Sequence, residues 1–296
     1  MIHADYTAGT AVYGVIGDPV SHSFSPIIHN TIARELGDDI SYTAFHVLPS
    51  QLENAIRGAY ALGIQGLNVT IPHKHEVIPF LSHTDAAALE AGAVNTLCYT
   101  PNGYHGYNTD IPGVLQTLYA NGVSLSGATC IVLGGGGSAR AAVVALSRGG
   151  AKRIYLANRT IEKALALADE MRTLYETEIC VIPQAEIGDI PSADVLVQTT
   201  SAGFGVQKEL SPVADALFCK RVATVFDIIY TPWETMLLRD ARACGAQCLN
   251  GFDMLVYQAI ASYEIWRGIT IDDSLAVRLK QELGDYYRKH RKNNRE

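Results

Sequence analysis

A glycine-rich segment is the part of this chain whose residue types point most directly to ligand binding. Gly134, Gly135, Gly136 and Gly137 follow an apolar, β-branched run and precede small residues that begin with Ser138. The spacing fits a turn from a strand into a helix, in which Gly134 makes the tight turn and Gly136 lets a pyrophosphate approach the backbone. The N-terminus of such a helix offers N–H groups to phosphate. The segment predicts a dinucleotide site; the alternative is a loop that only turns the chain.

The residues after the next predicted strand bear on which dinucleotide binds. An NAD site usually carries Asp or Glu there, whereas the 2′-phosphate of NADP calls for a cation. This chain has Asn158, Arg159 and Thr160 at that point, with Lys163 at the start of the following helix. A guanidinium can stack on adenine or pair with a phosphate, so the sequence favours NADP. The alternative is that Arg159 is a solvated loop cation.

Lys74 is the candidate proton donor. It follows Asn68, Thr70 and Pro72, which alternate along the end of a predicted strand, where open α/β sheets bind ligands. A lysine there can donate a proton to a carbonyl that is being reduced, provided that it is partly desolvated or coupled to a carboxylate. Asp110 lies where the first predicted domain meets the second and could orient Lys74. The alternatives are a surface lysine and an aspartate that only caps a helix.

Further polar groups could hold a substrate. Ser23 and Ser25 begin a predicted helix, where two hydroxyls and the helix N–H groups can bind a polyol or a carboxylate. The alternative is N-capping by Ser25 with Pro26 at the first helical position, and both can hold. His73 and His75 flank the lysine, but they have no third ligand in register, so no metal site is predicted.

The elements that must position these residues alternate between strands and helices, which indicates an α/β protein. In the first half, strands are predicted at 12–16, 41–47 and 66–71, with a hairpin of 94–99 and 104–108 and helices at 25–36, 52–62, 75–81 and 84–91. In the second half, strands are predicted at 128–133, 153–157, near 179, 194–199, 222–229 and 247–250, with helices at 111–121, 139–148, 254–266 and 274–287.

The chain of 296 residues exceeds a usual single core, so two domains are expected. The predicted substrate-binding domain takes residues 1–110 and 251–296. Residues 111–250 form the predicted NADP-binding domain, a doubly wound Rossmann-type sheet. The last helices have no strand of their own to cover, so at least one of them is expected to pack back on the first domain.

Composition argues against several function classes. No apolar run approaches the roughly 20 residues that span a bilayer, so no membrane association is expected. The formal net charge of −7 and the scattered basic residues argue against a nucleic-acid partner. Six cysteines without a C-x-x-C pair indicate reduced thiols rather than disulfides or zinc, and a cytoplasmic protein is expected.

Several motifs occur in one order along the chain. They are 17–26 (GDPVSHSFSP), 66–74 (GLNVTIPHK), 92–96 (GAVNT), 108–110 (NTD), the glycine-rich segment, 158–160 (NRT), 199–203 (TTSAG), 227–230 (DIIY) and 251–258 (GFDMLVYQ). With these motifs the chain resembles the shikimate dehydrogenase family nearly end to end.

The resemblance implies an enzyme that reduces 3-dehydroshikimate to shikimate with NADPH in aromatic amino acid biosynthesis. It implies Lys74 and Asp110 as the catalytic pair. The implied substrate-binding residues are Ser23, Ser25, Thr70, Asn95, Asp110, Tyr230 and Gln258. The expected NADP-binding residues are Gly134, Gly135, Gly136, Gly137, Ser138, Asn158, Arg159, Thr160, Lys163 and Gly251. The partner is then a small-molecule substrate, and the chain is a monomer or a homodimer.

Two other functions stay open on the sequence. One is a quinate/shikimate dehydrogenase of the same family with relaxed substrate or NAD use, since quinate differs from shikimate by a hydroxyl and a saturated ring. The other is an NADP-binding sensor without catalysis, although such a protein would be expected to have lost Lys74 or Asp110. The chain departs from the family pattern at Gln198, where Asn is frequent.

Overall fold

The structure is a computed structural model in which residues 7–291 are described. The chain divides into two compact units. Of the described residues, 7–109 and 256–291 form the first unit and Asp110–Leu255 the second. The second unit is thus inserted into the sequence of the first.

The first unit is built on a mixed six-stranded sheet. Its strands are β1 (Ala11–Gly17), β2 (Ile40–His46), β3 (Gly66–Val69), β4 (His83–Thr84), β5 (Thr96–Thr100) and β6 (Gly103–Tyr107), in the order β2-β1-β3-β5-β6-β4. β1 runs parallel to β2 and β3, whereas β5 is antiparallel to both β3 and β6. Helices α1 (Ser25–Leu36), α2 (Leu52–Ala61) and α3 (Ala86–Ala91) lie between these strands in sequence.

Apolar periodicity explains how these helices pack. In α2 the buried residues Leu52, Ile56 and Ala59 recur at helical spacing, so one face of the helix enters the core. That core also contains Leu67 of β3 and Leu97 of β5, both at most 1% exposed. The apolar face of α2 therefore packs into the same core as strands β3 and β5.

The second unit contains a parallel six-stranded sheet. Its strands are β7 (Thr129–Leu133), β8 (Arg153–Asn158), β9 (Glu178–Pro183), β10 (Ala193–Gln198), β11 (Val222–Asp227) and β12 (Gln247–Asn250), in the order β12-β11-β10-β7-β8-β9. Its helices are α4 (Asp110–Ala120), α5 (Gly137–Arg148), α6 (Ile161–Leu174) and α7 (Met236–Ala243). The strand order reverses between β7 and β10, which is where doubly wound folds bind nucleotides.

Two long helices end the described chain, α8 (Gly251–Arg267) and α9 (Asp273–Arg291). The indole of Trp266 donates a hydrogen bond of 2.8 Å to the carbonyl of Leu97 in β5. Tyr263 and Arg267 both bind the carboxylate of Asp38, which precedes β2. The C-terminal helices therefore return to the first unit, and the predicted fold class is confirmed.

Several predicted boundaries are wrong for identifiable reasons. The helix predicted at 75–81 is a turn followed by the 3-10 helix Ile78–Phe80, since Pro79 cannot donate an α-helical hydrogen bond. Helix α8 begins at Gly251 rather than 254, because the side chain of Asn250 accepts the N–H of Phe252 at 3.1 Å and starts the helix earlier. Helix α5 begins at Gly137 rather than 139, within the glycine-rich segment. The short strand β4 was not predicted.

No helix among residues 7–291 is both long and apolar enough to cross a membrane. The six cysteines are all free, with Cys130 and Cys219 buried.

Candidate active site

The loops after β1 and β3 lie side by side at one edge of the first unit. The N–H of Asp18 donates to the carbonyl of Ile71 at 3.0 Å, and the N–H of Thr70 donates to Ile16 at 3.0 Å. These bonds hold the segment that contains Ser23 next to the end of β3. The carboxyl ends of two parallel strands therefore carry the predicted hydroxyl cluster and the predicted lysine segment together.

Ser23 and Ser25 stand at the N-terminus of α1. The hydroxyl oxygen of Ser23 accepts the N–H of Ser25 at 3.3 Å, and Ser25 is buried. The alternative role of Ser25 as the N-cap is wrong, because α1 already begins at Ser25 and the N-cap position is Phe24. The N-cap residue Phe24 has no side chain that could accept a hydrogen bond from the first turn of α1. Ser23 instead accepts the N–H of Ser25.

Three hydrogen bonds to backbone carbonyls fix the segment around Lys74. His73 is buried and its Nε2 donates to the carbonyl of Val47 at 2.6 Å, while His75 Nδ1 donates to Gly92 at 3.0 Å. Between them, the carbonyl of Lys74 accepts the N–H of Val94 at 2.7 Å. The half-buried Lys74 side chain is therefore attached to a backbone that is fixed on both sides. This backbone lies beside the segment that leads to Asn95.

His73 and His75 each donate a hydrogen bond from a ring nitrogen to a backbone carbonyl, so both histidines fix the loop. Among residues 7–291, no group of three His, Cys, Asp or Glu side chains is placed to hold a metal ion.

Asn95 is buried just before β5 and is held by its neighbours on both sides. Its carbonyl accepts the N–H of Val69 at 2.9 Å, and its N–H donates to Tyr107 at 3.0 Å. Its side-chain oxygen accepts the N–H of Thr109 at 2.7 Å and lies 3.1 Å from the hydroxyls of Thr109 and Thr96. The end of the hairpin is thereby tied to the residues that precede it.

The remaining substrate-binding candidates lie on other elements. Asp110 is buried and opens α4 at the start of the second unit, whereas Lys74 belongs to the first unit. Gln258 is half-buried on α8 in the first unit, and its carbonyl accepts the hydroxyl of Ser262 at 2.9 Å. The pairing of Lys74 with Asp110 stays a prediction.

The glycine-rich segment turns directly from β7 into α5. Gly134 has φ of 125°, and a Cβ there would lie 2.4 Å from the hydroxyl oxygen of Thr199, so no larger residue fits this turn. A Cβ at Gly136 or Gly137 would meet nothing within 4 Å. Open space beside the start of α5 is what a pyrophosphate bound to helix N–H groups requires.

The end of β8 packs against this segment. A Cβ on Gly135 would lie 2.6 Å from the amide nitrogen of Asn158 and 3.4 Å from Cβ of Lys163. The amide of Asn158 donates to the carbonyl of Thr160 at 2.9 Å, which shapes the turn that carries the exposed Arg159. No carboxylate occurs in this turn, and the residues present fit a cofactor with a 2′-phosphate.

Tyr230 lies in the loop after β11, and the buried carboxyl of Asp227 organises that loop. Its two oxygens accept the N–H of Ile229 at 3.0 Å and the hydroxyl of Thr235 at 2.7 Å. Burial raises the pKa of Asp227 to about 7, although both hydrogen bonds oppose the shift. The N–H of Gly251 donates to Ile229 at 3.1 Å, so the loop is also tied to the start of α8.

Sequence reasoning assigned no role to three groups that shape these loops. Gln198 is fully buried and binds four groups of residues 200–202 through its side chain, which sets the turn after β10. Thr96 and Ser262 lie next to Asn95 inside the first unit. Ser262 follows Gln258 by four residues, so helical spacing was the signal that could have found it.

Comparison with known proteins decides the family. Three profiles match: the shikimate dehydrogenase substrate binding domain over residues 15–97, shikimate/quinate 5-dehydrogenase over 117–228, and the shikimate 5′-dehydrogenase C-terminal domain over 251–275. The shikimate dehydrogenase (NADP+) of Caldanaerobacter subterraneus subsp. tengcongensis is 40% identical over 275 residues, which cover 93% of this chain and 98% of that relative. The chain belongs to the shikimate dehydrogenase family.

Solved structures of the shikimate dehydrogenase family have the same fold. A shikimate dehydrogenase in complex with NADP+ matches with a TM-score of 0.85 and 36% identity, over 95% of this chain and 97% of that one. Shikimate 5-dehydrogenase of Listeria monocytogenes, in complex with shikimate and NAD, matches with a TM-score of 0.88 and 26% identity over 95% and 99%. The family predicted from the motifs is confirmed.

Proposed function

We propose that this chain is an NADP-dependent shikimate dehydrogenase, which catalyses the reversible NADPH-dependent reduction of 3-dehydroshikimate to shikimate in aromatic amino acid biosynthesis. Its relatives are named shikimate dehydrogenase (NADP+). The observation that carries the proposal is the anchoring of Lys74, whose carbonyl accepts the Val94 N–H at 2.7 Å. The half-buried Lys74 is thereby attached to a fixed backbone, next to the segment that leads to the buried Asn95.

In the proposed mechanism, Lys74 and Asp110 act on one alcohol of the ring. NADPH, when bound, supplies the hydride to the ketone. The Lys74 ammonium stabilises the negative charge that develops on the ketone oxygen and donates the proton to it. The Asp110 carboxylate directs the Lys74 side chain and accepts a hydrogen bond from a substrate hydroxyl. In the direction of oxidation, Lys74 accepts the proton from the alcohol instead.

The other polar side chains at these loops bind the substrate in this proposal. They are Ser23, Ser25, Thr70, Asn95, Tyr230 and Gln258. The glycine-rich segment and Ser138 bind the pyrophosphate, and Asn158 and Thr160 shape the adenosine end. Gly251, at the start of α8, is a further cofactor-binding residue in this proposal. The exposed Arg159, with Lys163, recognises the 2′-phosphate.

Initial rates test the proposed function directly. Shikimate and quinate are each assayed with NADP+ and with NAD+, and shikimate with NADP+ is expected to give the highest kcat/KM. Absence of turnover with every pair, in a folded sample, would overturn the proposal.

Substitution of Arg159 tests the cofactor assignment. Arg159→Ala should raise the KM for NADP+ by about tenfold, because a charge-assisted phosphate contact contributes about 1.5 kcal/mol, and should leave the KM for NAD+ nearly unchanged. Arg148→Ala is a matched control, since this exposed arginine lies at the C-terminal end of α5. Equal effects on the two cofactors would show that Arg159 does not read the 2′-phosphate.

Relaxed specificity is the second candidate. One matching profile is described as shikimate/quinate 5-dehydrogenase, and one structural relative holds NAD. Comparable kcat/KM values for quinate, or for NAD+, would favour it.

A cytoplasmic location is part of the proposed function as an NADP-dependent shikimate dehydrogenase, and the six free cysteines support it. The oligomeric state, monomer or homodimer, is read by light scattering.

A further inference from the structure

Five buried polar side chains of the first unit form one hydrogen-bonded cluster, here called the hub. They are Asn68, Asn95, Thr96, Thr109 and Ser262, and none is more than 6% exposed. They come from β3, the start of β5, the end of the hairpin and helix α8. Buried polar groups cost free energy unless they are paired, so their hydrogen atoms can be assigned one by one.

Backbone groups at the edge of the hub fix the orientation of both amides. The N–H of Thr109 can only donate, so the side-chain atom of Asn95 that lies 2.7 Å from it is the oxygen. The carbonyl of Asn95 can only accept, so the side-chain atom of Asn68 that lies 3.2 Å from it is the nitrogen. The Asn68 oxygen then accepts the hydroxyl of Tyr42 at 2.7 Å.

The hydroxyl hydrogens follow from the same reasoning. Ser262 donates to the carbonyl of Gln258 at 2.9 Å, so its oxygen is an acceptor for Thr96 at 2.8 Å or Thr109 at 3.1 Å. When one threonine donates to Ser262, the other can donate to the side-chain oxygen of Asn95, which lies 3.1 Å from each hydroxyl. In both of these arrangements the Asn95 oxygen accepts two hydrogen bonds from the protein, and when one threonine donates to the other, 3.2 Å away, the Asn95 oxygen still accepts the N–H of Thr109.

We propose that Thr96, Thr109 and Ser262 are positioning residues: the two threonine hydroxyls bind the side-chain oxygen of Asn95 and Ser262 orients those hydroxyls, so that Asn95 meets a substrate only as a donor, through Nδ2. The proposal rests on the proposed function, in which Asn95 binds shikimate. It specifies the chemistry of the bound group, which must present a lone pair, as a hydroxyl or carboxylate oxygen does. A ligand whose corresponding group can only donate is excluded at this position.

Replacement of one atom tests the donor assignment. Asn95→Asp keeps an oxygen for the N–H of Thr109 and replaces the NH2 group by an acceptor. At neutral pH the KM for shikimate should rise by about tenfold or more, with the KM for NADP+ unchanged. The ratio of variant to wild-type KM should fall as the pH is lowered, because the introduced carboxyl group regains a donor when it is protonated. Asn54→Asp on the exposed face of α2 is the control and should change neither constant.

Conservative variants test the positioning residues. Thr96→Val removes one hydroxyl at nearly constant volume and should raise the KM for shikimate, while Thr96→Ser should restore it. In the ligand-free protein, Thr96→Val and Ser262→Ala should shift the urea midpoint by less in combination than the sum of their separate shifts. Additive shifts would show that the two hydroxyls do not act as one network.

The failures of the two proposals are distinguishable. If the wild type oxidises shikimate and Asn95→Asp leaves its KM unchanged at every pH, the donor assignment is wrong and the proposed function stands. If the wild type does not oxidise shikimate, the proposed function and the ligand assignment are both overturned. The urea measurements in the ligand-free protein still decide whether the hub exists.

Discussion

His29 shows how far a single side chain can depart from its ordinary chemistry. It is fully buried on α1, and neither ring nitrogen makes a hydrogen bond to a described residue. The ring stacks on Tyr42 at 4.2 Å and lies 5.0 Å from the ring of Trp266. Burial lowers the pKa of His29 to about 3, and the nearby amide of Asn68 opposes this only in part. The imidazole is therefore neutral and packs as an apolar ring.

Protonation of the unfolded chain makes His29 a source of acid sensitivity. Its pKa rises from about 3 in the folded protein to 6.5 on unfolding, so stability is fully present above pH 6.5 and is lost as the pH falls toward 3. In that window His29 should contribute a slope of about 1.4 kcal/mol per pH unit.

The variant His29→Phe should remove this slope and raise the free energy of unfolding at low pH, measured by urea titration between pH 4 and 7. His83→Phe, at an exposed histidine of β4, is the control and should retain it. An unchanged slope in His29→Phe would show that another group causes the acid sensitivity.

Lys74 should affect the chemical step far more than substrate binding. Lys74→Ala should lower kcat for shikimate oxidation by about 100- to 10,000-fold, because it removes both the proton carrier and the charge next to the reacting oxygen. The KM for shikimate should change little by comparison, and NADP+ should bind as before. Near-normal turnover in Lys74→Ala would exclude the proposed role.

At the scale of elements, the loop after β11 and the start of helix α8 pack closely at Gly251. A Cβ on Gly251 would lie 1.8 Å from the carbonyl oxygen of Ile228. That oxygen belongs to the backbone, so it cannot rotate away as a side chain could. Any larger residue must therefore displace the loop that carries Tyr230.

Gly251→Ala should lower the free energy of unfolding by about 1–3 kcal/mol, the usual cost of overpacking, and should raise the KM for shikimate. Gly58→Ala is the matched control. It lies inside α2 with nothing within 4 Å of the added Cβ, and it should stabilise the protein by about 0.5–1 kcal/mol. Thermal unfolding and initial rates measure both, and a Gly251→Ala protein of unchanged stability would contradict the packing.

Elements with strong periodicity were predictable from the sequence, and those set by single contacts were not. The parallel strands of the second unit are continuous apolar runs such as Val132 and Leu133, which identify buried strands. The start of α8 was placed three residues late because the Asn250 side chain that begins it gives no periodic signal. Motif residues such as Asn95 were assigned to the site from the sequence. Thr96 was seen only as part of a motif and Ser262 was not singled out, because their role depends on contacts between distant segments.

At the scale of the whole molecule, the first unit is made from two separate stretches of sequence. Residues 7–109 form its sheet, while α8 supplies Tyr263, which is fully buried, and Trp266, which binds the carbonyl of Leu97 at 2.8 Å. A sheet without these side chains lacks part of its core and leaves Asp38 without its tyrosine and arginine partners.

Fragments test this dependence. Residues 1–109 alone should lack a cooperative unfolding transition, and co-expression with residues 256–296 should restore one. The fragment 110–255 should unfold cooperatively by itself, because its six strands form a complete sheet. Near-UV circular dichroism during urea titration reports each case. A cooperative transition in the fragment 1–109 alone would show that the C-terminal helices are dispensable.

The inserted position of the second unit also sets an order of events during translation. Domains fold as their segments leave the ribosome, and residues 110–255 emerge complete while the earlier unit still lacks the rest of α8 and all of α9. The part of the protein synthesised first is therefore finished last. Until then the first unit exposes apolar surface that residues 256–291 later cover, and a chain that ends at residue 255 has a complete second unit and an incomplete first one.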